Sequence, residues 1–332
     1  MVTEKLRSFQ LNSTFVKDTT AMHPLGTLSL RALAFARPML FAVLATMAPT
    51  LFAADATVPL PLTVQTPSQN HHTLEELQRG VARGDDKAMN NLGVRYQLGD
   101  GVPQDYSKAM QLFRAASAKG NKAAPNIIGI LYADGLGVQQ DFKEALRWYR
   151  IGHQRGNATA TNNIGIAYQY GQGVKQDYTG AMRWYRMAEQ RGAVEAANNL
   201  GNLYDHGHGV SQDYAQAFQW YEKAQQRGSH AATNNLAGLY EYGRGVPQNY
   251  EKAVELYRVA TDMGDAGAPY NLRHMYDEGR GVKQDLQEAK RWYELSAQRG
   301  DPWAEQRLAN VRLRMARSPL ISPTEPVRTD SK

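Results

Sequence analysis

A glycine-valine pair recurs at 101, 137, 173, 209, 245 and 281, each pair 36 residues after the one before. Self-similarity at a fixed period of this size specifies a solenoid of stacked supersecondary units, because a single unit cannot bury its own apolar face. The spacing never slips, so no copy carries an insertion. Length alone would admit two or three domains, but the repeats override that prior and make one array of most of the 332 residues.

The copies align position by position. An alanine opens each unit at 88, 124, 160, 196, 232 and 268, followed four residues on by Leu92, Ile128, Ile164, Leu200, Leu236 and Leu272. Four further stand Tyr96, Tyr132, Tyr168, Tyr204, Tyr240 and Tyr276. The i, i+4, i+8 spacing lays one apolar stripe along a helix, here termed helix A. It is followed at 99, 135, 171, 207, 243 and 279 by glycine, the residue suited to a helix C-terminus at positive φ. Asp105, Asp141, Asp177, Asp213, Asn249 and Asp285 then offer an N-cap oxygen to helix B. Helix B carries a small residue for close approach (Ala109, Ala145, Ala181, Ala217, Ala253, Ala289) and then a large apolar pair such as Trp148-Tyr149, Trp184-Tyr185 or Trp220-Tyr221. It closes at a glycine preceded by a basic residue at 119, 155, 191, 227 and 299, read as complementing the helix C-terminal dipole.

The pattern Ala-x-x-x-Leu-Gly-x-x-Tyr-x-x-Gly-x-Gly-Val-x-x-Asp-Tyr-x-x-Ala-x-x-Trp-Tyr resembles the Sel-one-like repeat, a 36-residue relative of the tetratricopeptide repeat, over residues 85–316. The resemblance implies an all-α fold: a right-handed superhelical solenoid of antiparallel helix pairs. It also implies a scaffold or adaptor role, in bacteria often in the envelope or at host contact. Three positions depart from the pattern. Ala237 and Arg273 replace the helix-A glycine, and Leu286 replaces the aromatic after the helix-B cap. Arg273 needs room that glycine would not.

The ends read differently. An apolar run from Pro38 to Ala54 follows Arg31 and Arg37 and closes in Ala54-Asp55-Ala56, an A-x-A cleavage signature. At about 17 residues with Pro49 inside, it is short for a membrane span. Residues 1–56 are therefore expected to be a secretory signal cleaved after Ala56, with Met22 a plausible start, and the protein is expected to be exported to the periplasm or secreted. Residues 57–72, rich in Pro, Thr, Ser and Gln, read as a linker. Thr73-Leu-Glu-Glu76 is a capping box that opens a half-unit over 73–84. Six units follow at 85–120, 121–156, 157–192, 193–228, 229–264 and 265–300. Asp301-Pro302 then starts a capping helix over 301–316, in which Leu308 keeps the stripe and Arg312 replaces tyrosine. Residues 317–332 read as a disordered tail.

Once the framework is set aside, asparagine recurs twice on helix A. It stands two residues after the opening alanine at Asn90, Asn126, Asn162, Asn198 and Asn234, and three after at Asn91, Asn163, Asn199, Asn235 and Asn271. The resemblance implies that helix A lines the concave surface, where amides can both donate to and accept from an extended backbone. Asn90, Asn126, Asn162, Asn163, Asn198, Asn199, Asn234 and Asn235 are the candidate partner-binding residues. The alternative for the three-after row is a bond to the neighbouring unit. A glutamine before each helix-B cap, at 104, 140, 176, 212, 248 and 284, points to a loop bond.

Other chemistries lack support in the sequence. Catalytic motifs such as G-x-S-x-G, H-E-x-x-H and a phosphate-binding loop are absent. Without cysteine there is no disulfide, thiolate site or thiol nucleophile. His71-His72 and Asp205-His206-Gly-His208 carry too few ligands for a metal site, so neither cofactor nor metal is expected. The net charge of +6 falls to +4 beyond residue 56, too dilute for nucleic acid. The sequence therefore predicts a monomeric, exported, non-enzymatic scaffold that captures a protein segment. A glycan- or peptidoglycan-binding module, or an adaptor anchored in a membrane through an uncleaved signal, are the alternatives.

Overall fold

A computed structural model describes residues 72–298 and 304–317. The expected signal, residues 57–71 of the linker, the Asp301-Pro302 cap and residues 318–332 lie outside the described residues. Among the described residues there are fourteen helices and no strand. A lone α1 (Leu74–Ala82) precedes six pairs: α2 (Asp86–Leu98) with α3 (Tyr106–Ala118), α4 (Ala124–Asp134) with α5 (Phe142–Gln154), α6 (Ala158–Tyr170) with α7 (Tyr178–Gln190), α8 (Val194–His206) with α9 (Tyr214–Gln226), α10 (His230–Tyr242) with α11 (Tyr250–Asp262), and α12 (Ala268–Glu278) with α13 (Leu286–Gln298). A lone α14 (Ala304–Arg317) ends the series. Each helix packs on its neighbours in sequence, so the fold is an all-α solenoid.

The helix ends follow from the capping residues. Thr73 and Glu76 form the reciprocal capping box of α1, with Thr73 N–H donating to Glu76 Oε2 at 2.8 Å and Glu76 N–H to Thr73 Oγ1 at 3.2 Å. That bond to the Thr73 backbone holds the Glu76 carboxyl below its ordinary range. Asp105, Asp141, Asp177, Asp213 and Asn249 cap helix B through side-chain oxygens, as their positions predict. Each loop glutamine donates from Nε2 to a carbonyl in the last turn of its helix A, as Gln176 does to Gln169 at 2.8 Å and Gln212 to Asp205 at 2.6 Å.

The two glycines of each loop have different tasks. Gly171 ends α6 in the left-handed region at φ 69°, which closes the helix. Gly173 sits at φ 70° and meets the preceding unit, where an added Cβ would land on the backbone of Phe142 and Lys143. The conserved spacing of the Gly-x-Gly pair is thus a packing contact between repeats as well as a turn.

The core divides the large aromatic pair. Tyr185, Tyr221, Tyr257 and Tyr293 are almost wholly buried within their own pairs. A Cβ added at Gly165 would lie 2.5 Å from the Tyr185 ring, and one at Gly201 the same distance from Tyr221, so glycine lets the ring lie against helix A. Trp148, Trp184, Trp220 and Trp292 are half-buried and reach the preceding unit. Trp184 meets His153 edge-on, with ring centroids 5.0 Å apart. The basic residue at the end of helix B also reaches backward. Arg155 Nη1 donates to Ser117 O and Asn121 O at 2.9 and 3.0 Å, and Arg191 Nη1 to His153 O at 2.9 Å. These guanidinium groups tie consecutive repeats together, a role that reaches beyond the local helix dipole expected from the sequence.

Arg273 is accommodated by a second departure in the same helix. Its guanidinium lies 3.5 Å from the Tyr270 ring centroid and 4.9 Å from that of Tyr293. Tyr270 occupies the two-after position that asparagine fills elsewhere, so the exchanges at 270 and 273 fit each other. At the end of the array, α14 buries Leu308 and Val311, while Arg312 is exposed and donates to Glu294 at 3.2 Å. An end helix must cover the last apolar stripe and present polar groups to water.

Two glycine substitutions test this packing with opposite signs. Gly165→Ala is expected to destabilise by about 1–3 kcal/mol because the Tyr185 ring cannot recede from the new methyl group. Gly238→Ala is expected to be neutral or to stabilise by up to about 1 kcal/mol, since its Cβ finds only Tyr257 Oη, at 3.7 Å. Denaturant titration of both variants checks the pair.

Candidate functional site

The two asparagine rows of helix A come together as one ladder. The three-after residue of each unit donates to the two-after residue of the unit before. Asn163 Nδ2 donates to Asn126 Oδ1 at 2.9 Å, Asn199 to Asn162 at 3.0 Å, Asn235 to Asn198 at 2.9 Å and Asn271 to Asn234 at 3.0 Å. Asn126, Asn162, Asn198 and Asn199 are buried, while Asn163, Asn234 and Asn235 are half-buried. A primary amide offers two donors and a two-lone-pair acceptor, so one bond per residue leaves hydrogen-bonding capacity unused.

The ladder stops at the first step. Ile127 occupies the donor position of the second unit, and half-buried Asn90 is left with an Oδ1 that is itself buried and has no partner. Asn198 is wholly buried, and its Nδ2 also lacks a partner. Asn235 has a second acceptor in Asn202 Oδ1, at 3.2 Å.

A polar row near the C-terminal end of helix A, which the repeat motifs do not reveal, continues this face. The buried helix-B tyrosines donate to it. Tyr185 Oη bonds Gln169 Oε1 at 2.6 Å, Tyr221 Oη bonds Asn202 Oδ1 at 2.6 Å and Asp205 Oδ2 at 3.3 Å, and Tyr257 Oη bonds Glu241 Oε2 at 2.7 Å. The available signal was the tyrosine itself, because a buried phenol requires an acceptor. Burial pushes the Asp205 and Glu241 carboxyls above their ordinary ranges. Arg280 of the following unit lies 3.5 Å from Glu241. His274 is driven down to about 4, chiefly by burial and then by the adjacent Arg273.

The loop histidines have structural partners. His206 Nδ1 bonds the Asn202 carbonyl at 2.9 Å, and the His208 ring stacks on Tyr178 of the preceding unit at 4.6 Å. No group of three or more potential metal ligands occurs among the described residues, and none of their helices is long and apolar enough to cross a membrane. Tyr170 and Tyr242 remain exposed at the end of helix A, with Arg244 over the Tyr242 ring at 5.0 Å.

The Sel1 repeat model matches the sequence six times, at residues 86–121, 126–157, 158–192, 194–229, 230–265 and 268–301. The chain belongs to the Sel1 repeat family. Among solved structures, it is similar to c5321, described as a protective antigen present in uropathogenic Escherichia coli strains and displaying an SLR fold. The two share 33% identity over 74% of this chain and 53% of that one, with a TM-score of 0.60, so this chain matches about half of the relative's length. It is also similar to a Sel1 repeat protein from Oxalobacter formigenes, at 30% identity over 68% of this chain and 99% of that one, with a TM-score of 0.61. Comparison with curated proteins gave no match. Sel1 repeat proteins are generally protein-interaction scaffolds, and the solenoid is typically a non-enzymatic one.

The ladder and the buried carboxylates yield separate tests. Asn162→Ala is expected to cost about 1–2 kcal/mol in denaturant titration, because it strands the Asn199 donor, whereas Asn90→Ala is expected to change stability by less than about 0.5 kcal/mol. Glu241 has a folded pKa above its unfolded one, so its protonated form favours folding. That contribution is complete below the unfolded pKa and is lost as pH rises through the folded one. Glu241→Gln is therefore expected to raise the Tm at pH 7–8 and to approach the parent near pH 4. A Tm difference independent of pH would count against the burial assignment.

Proposed function

We propose that this Sel1 repeat protein is an exported adaptor that holds a segment of a partner protein against its helix-A face. The ladder carries the reading, because its half-buried amides at Asn163 and Asn234 retain donors and an acceptor beyond the inter-repeat bonds, and Asn235, whose two donors are engaged, retains its acceptor. Amide capacity of this kind suits an extended backbone, with little demand on its sequence. Asn126, Asn162, Asn198 and Asn199 serve chiefly to fix the spacing of that face, whereas Asn90 stands outside the ladder. The signal-like segment through Ala56 supports export, and so does the description of the E. coli relative as a protective antigen.

Ile166 and His274 are half-buried on helix A, whereas Arg183 is exposed on helix B. A photoreactive amino acid placed singly at these positions in intact cells distinguishes the faces. Crosslinks to one protein are expected from 166 and 274 and not from 183, on a recovered chain that begins near Thr57. Crosslinks only from 183 would move the binding face to helix B, and a recovered chain retaining residues 1–56 would remove cleavage from the reading.

A further inference from the structure

The second, sixth and ninth residues of every helix B share one outward face, since i, i+4 and i+7 recur on a helix. In the first three units this grid holds Arg114, Lys143, Arg147, Arg150, Arg183 and Arg186, with Ser107, Gln111 and Thr179 in the remaining places. All nine side chains are exposed and none is acidic. The same grid in the next two units reads Ala215, Gln219 and Glu222, then Glu251, Glu255 and Arg258. The face therefore changes sign near the middle of the array, a distinction that the net charge conceals.

The basic half is the less neutralised one. Arg147 and Arg183 are 72% and 73% exposed and have only flanking carboxylates, Glu144 at 3.3 Å and Asp177 at 3.9 Å. Exposed pairs of this kind contribute little and are screened by salt. Arg114 and Arg186 donate to neutral tyrosine hydroxyls of the following unit, at 2.7 and 3.3 Å, which positions their charge without cancelling it. In the acidic half, by contrast, Glu255 is paired with Lys252 at 2.9 Å.

We propose that the helix-B face of the first three repeats docks on an anionic lipid surface. The charges lie on the helices B of three successive units, α3, α5 and α7, and Lys143, Arg147 and Arg150 alone extend over about 10 Å of α5. None of the exposed large apolar residues lies on α3, α5 or α7, so the face lacks the aromatic or aliphatic anchors of a tight protein interface. It also lacks exposed aromatic platforms on which single-stranded bases could stack. A plane of lipid phosphates needs neither, and each basic side chain near such a surface adds about 1 kcal/mol of attraction, within a Debye length. This surface lies on the helix opposite the proposed adaptor face, so either property can fail alone.

The test is co-sedimentation of the full chain with phosphatidylcholine vesicles containing 0, 20 or 40% phosphatidylglycerol, at 0.05 and 0.5 M NaCl. Binding is expected to rise with the anionic fraction and to be lost at high salt. Arg147→Glu/Arg150→Glu/Arg183→Glu/Arg186→Glu is expected to lower the partition coefficient by at least about tenfold at unchanged Tm. Glu222→Gln/Glu255→Gln is expected to leave it unchanged, and any contribution from residues 38–54 is shared by all variants and insensitive to salt. Equal binding by the parent and the arginine variant would overturn the proposal. So would stronger binding to duplex DNA than to vesicles, or a salt-sensitive dimer, seen by sedimentation without vesicles, that the arginine variant abolishes.

Discussion

The buried helix-B ring seated against helix A, over a glycine in the first four units, is the contact on which the array depends. It sets how closely the two helices of a unit approach, and that spacing leaves the tryptophan beside it to reach the preceding unit. The tyrosine hydroxyl then meets Gln169, Asn202 or Glu241 inside the unit. A buried phenol without such an acceptor would lose more than its hydrogen bond, because the desolvation cost of the group would remain. Packing and polar satisfaction are consequently fixed by one side chain.

The fold was largely legible because its information is local and repeated. The alanine, leucine and tyrosine spacings define helix A, and the Asp and Gly positions define where each helix ends. Reading six copies together separates framework from variation without any related sequence. What eluded the sequence is what joins one unit to the next. Arg155 and Arg191 look like dipole partners until the preceding helix is placed beside them. Two asparagine rows 37 residues apart pair only because successive helices A lie side by side, and neither row alone shows which atom donates. Arg273 looked like a packing problem because its solution, Tyr270, belongs to a different repeat position.

The two faces of the array obey different physical constraints. On helix A, the amides combine structural bonding with residual capacity, so substitutions there couple stability to recognition. On the outer positions of helix B, side chains contact little and can change sign between units without disturbing the core. Segregating the tasks in this way lets one face retain its repeat register while the other carries long-range electrostatic character.

The ladder has a direction: every donor stands in the later unit and every acceptor in the earlier one. Excision of residues 157–192 would bring Asn199 opposite Asn126 and Gly209 onto the start of α5, each meeting a chemical equivalent of its former neighbour. Arg227, now paired with Glu189 at 2.8 Å, would take the place of Arg191 beside His153, an arginine-histidine junction already present in the array. Length in such a chain is therefore quantised. Recombination between copies can shorten or extend the array by whole multiples of 36 residues while every junction remains of a kind already present, whereas a gain or loss of any other size would leave a donor facing the wrong turn of a helix.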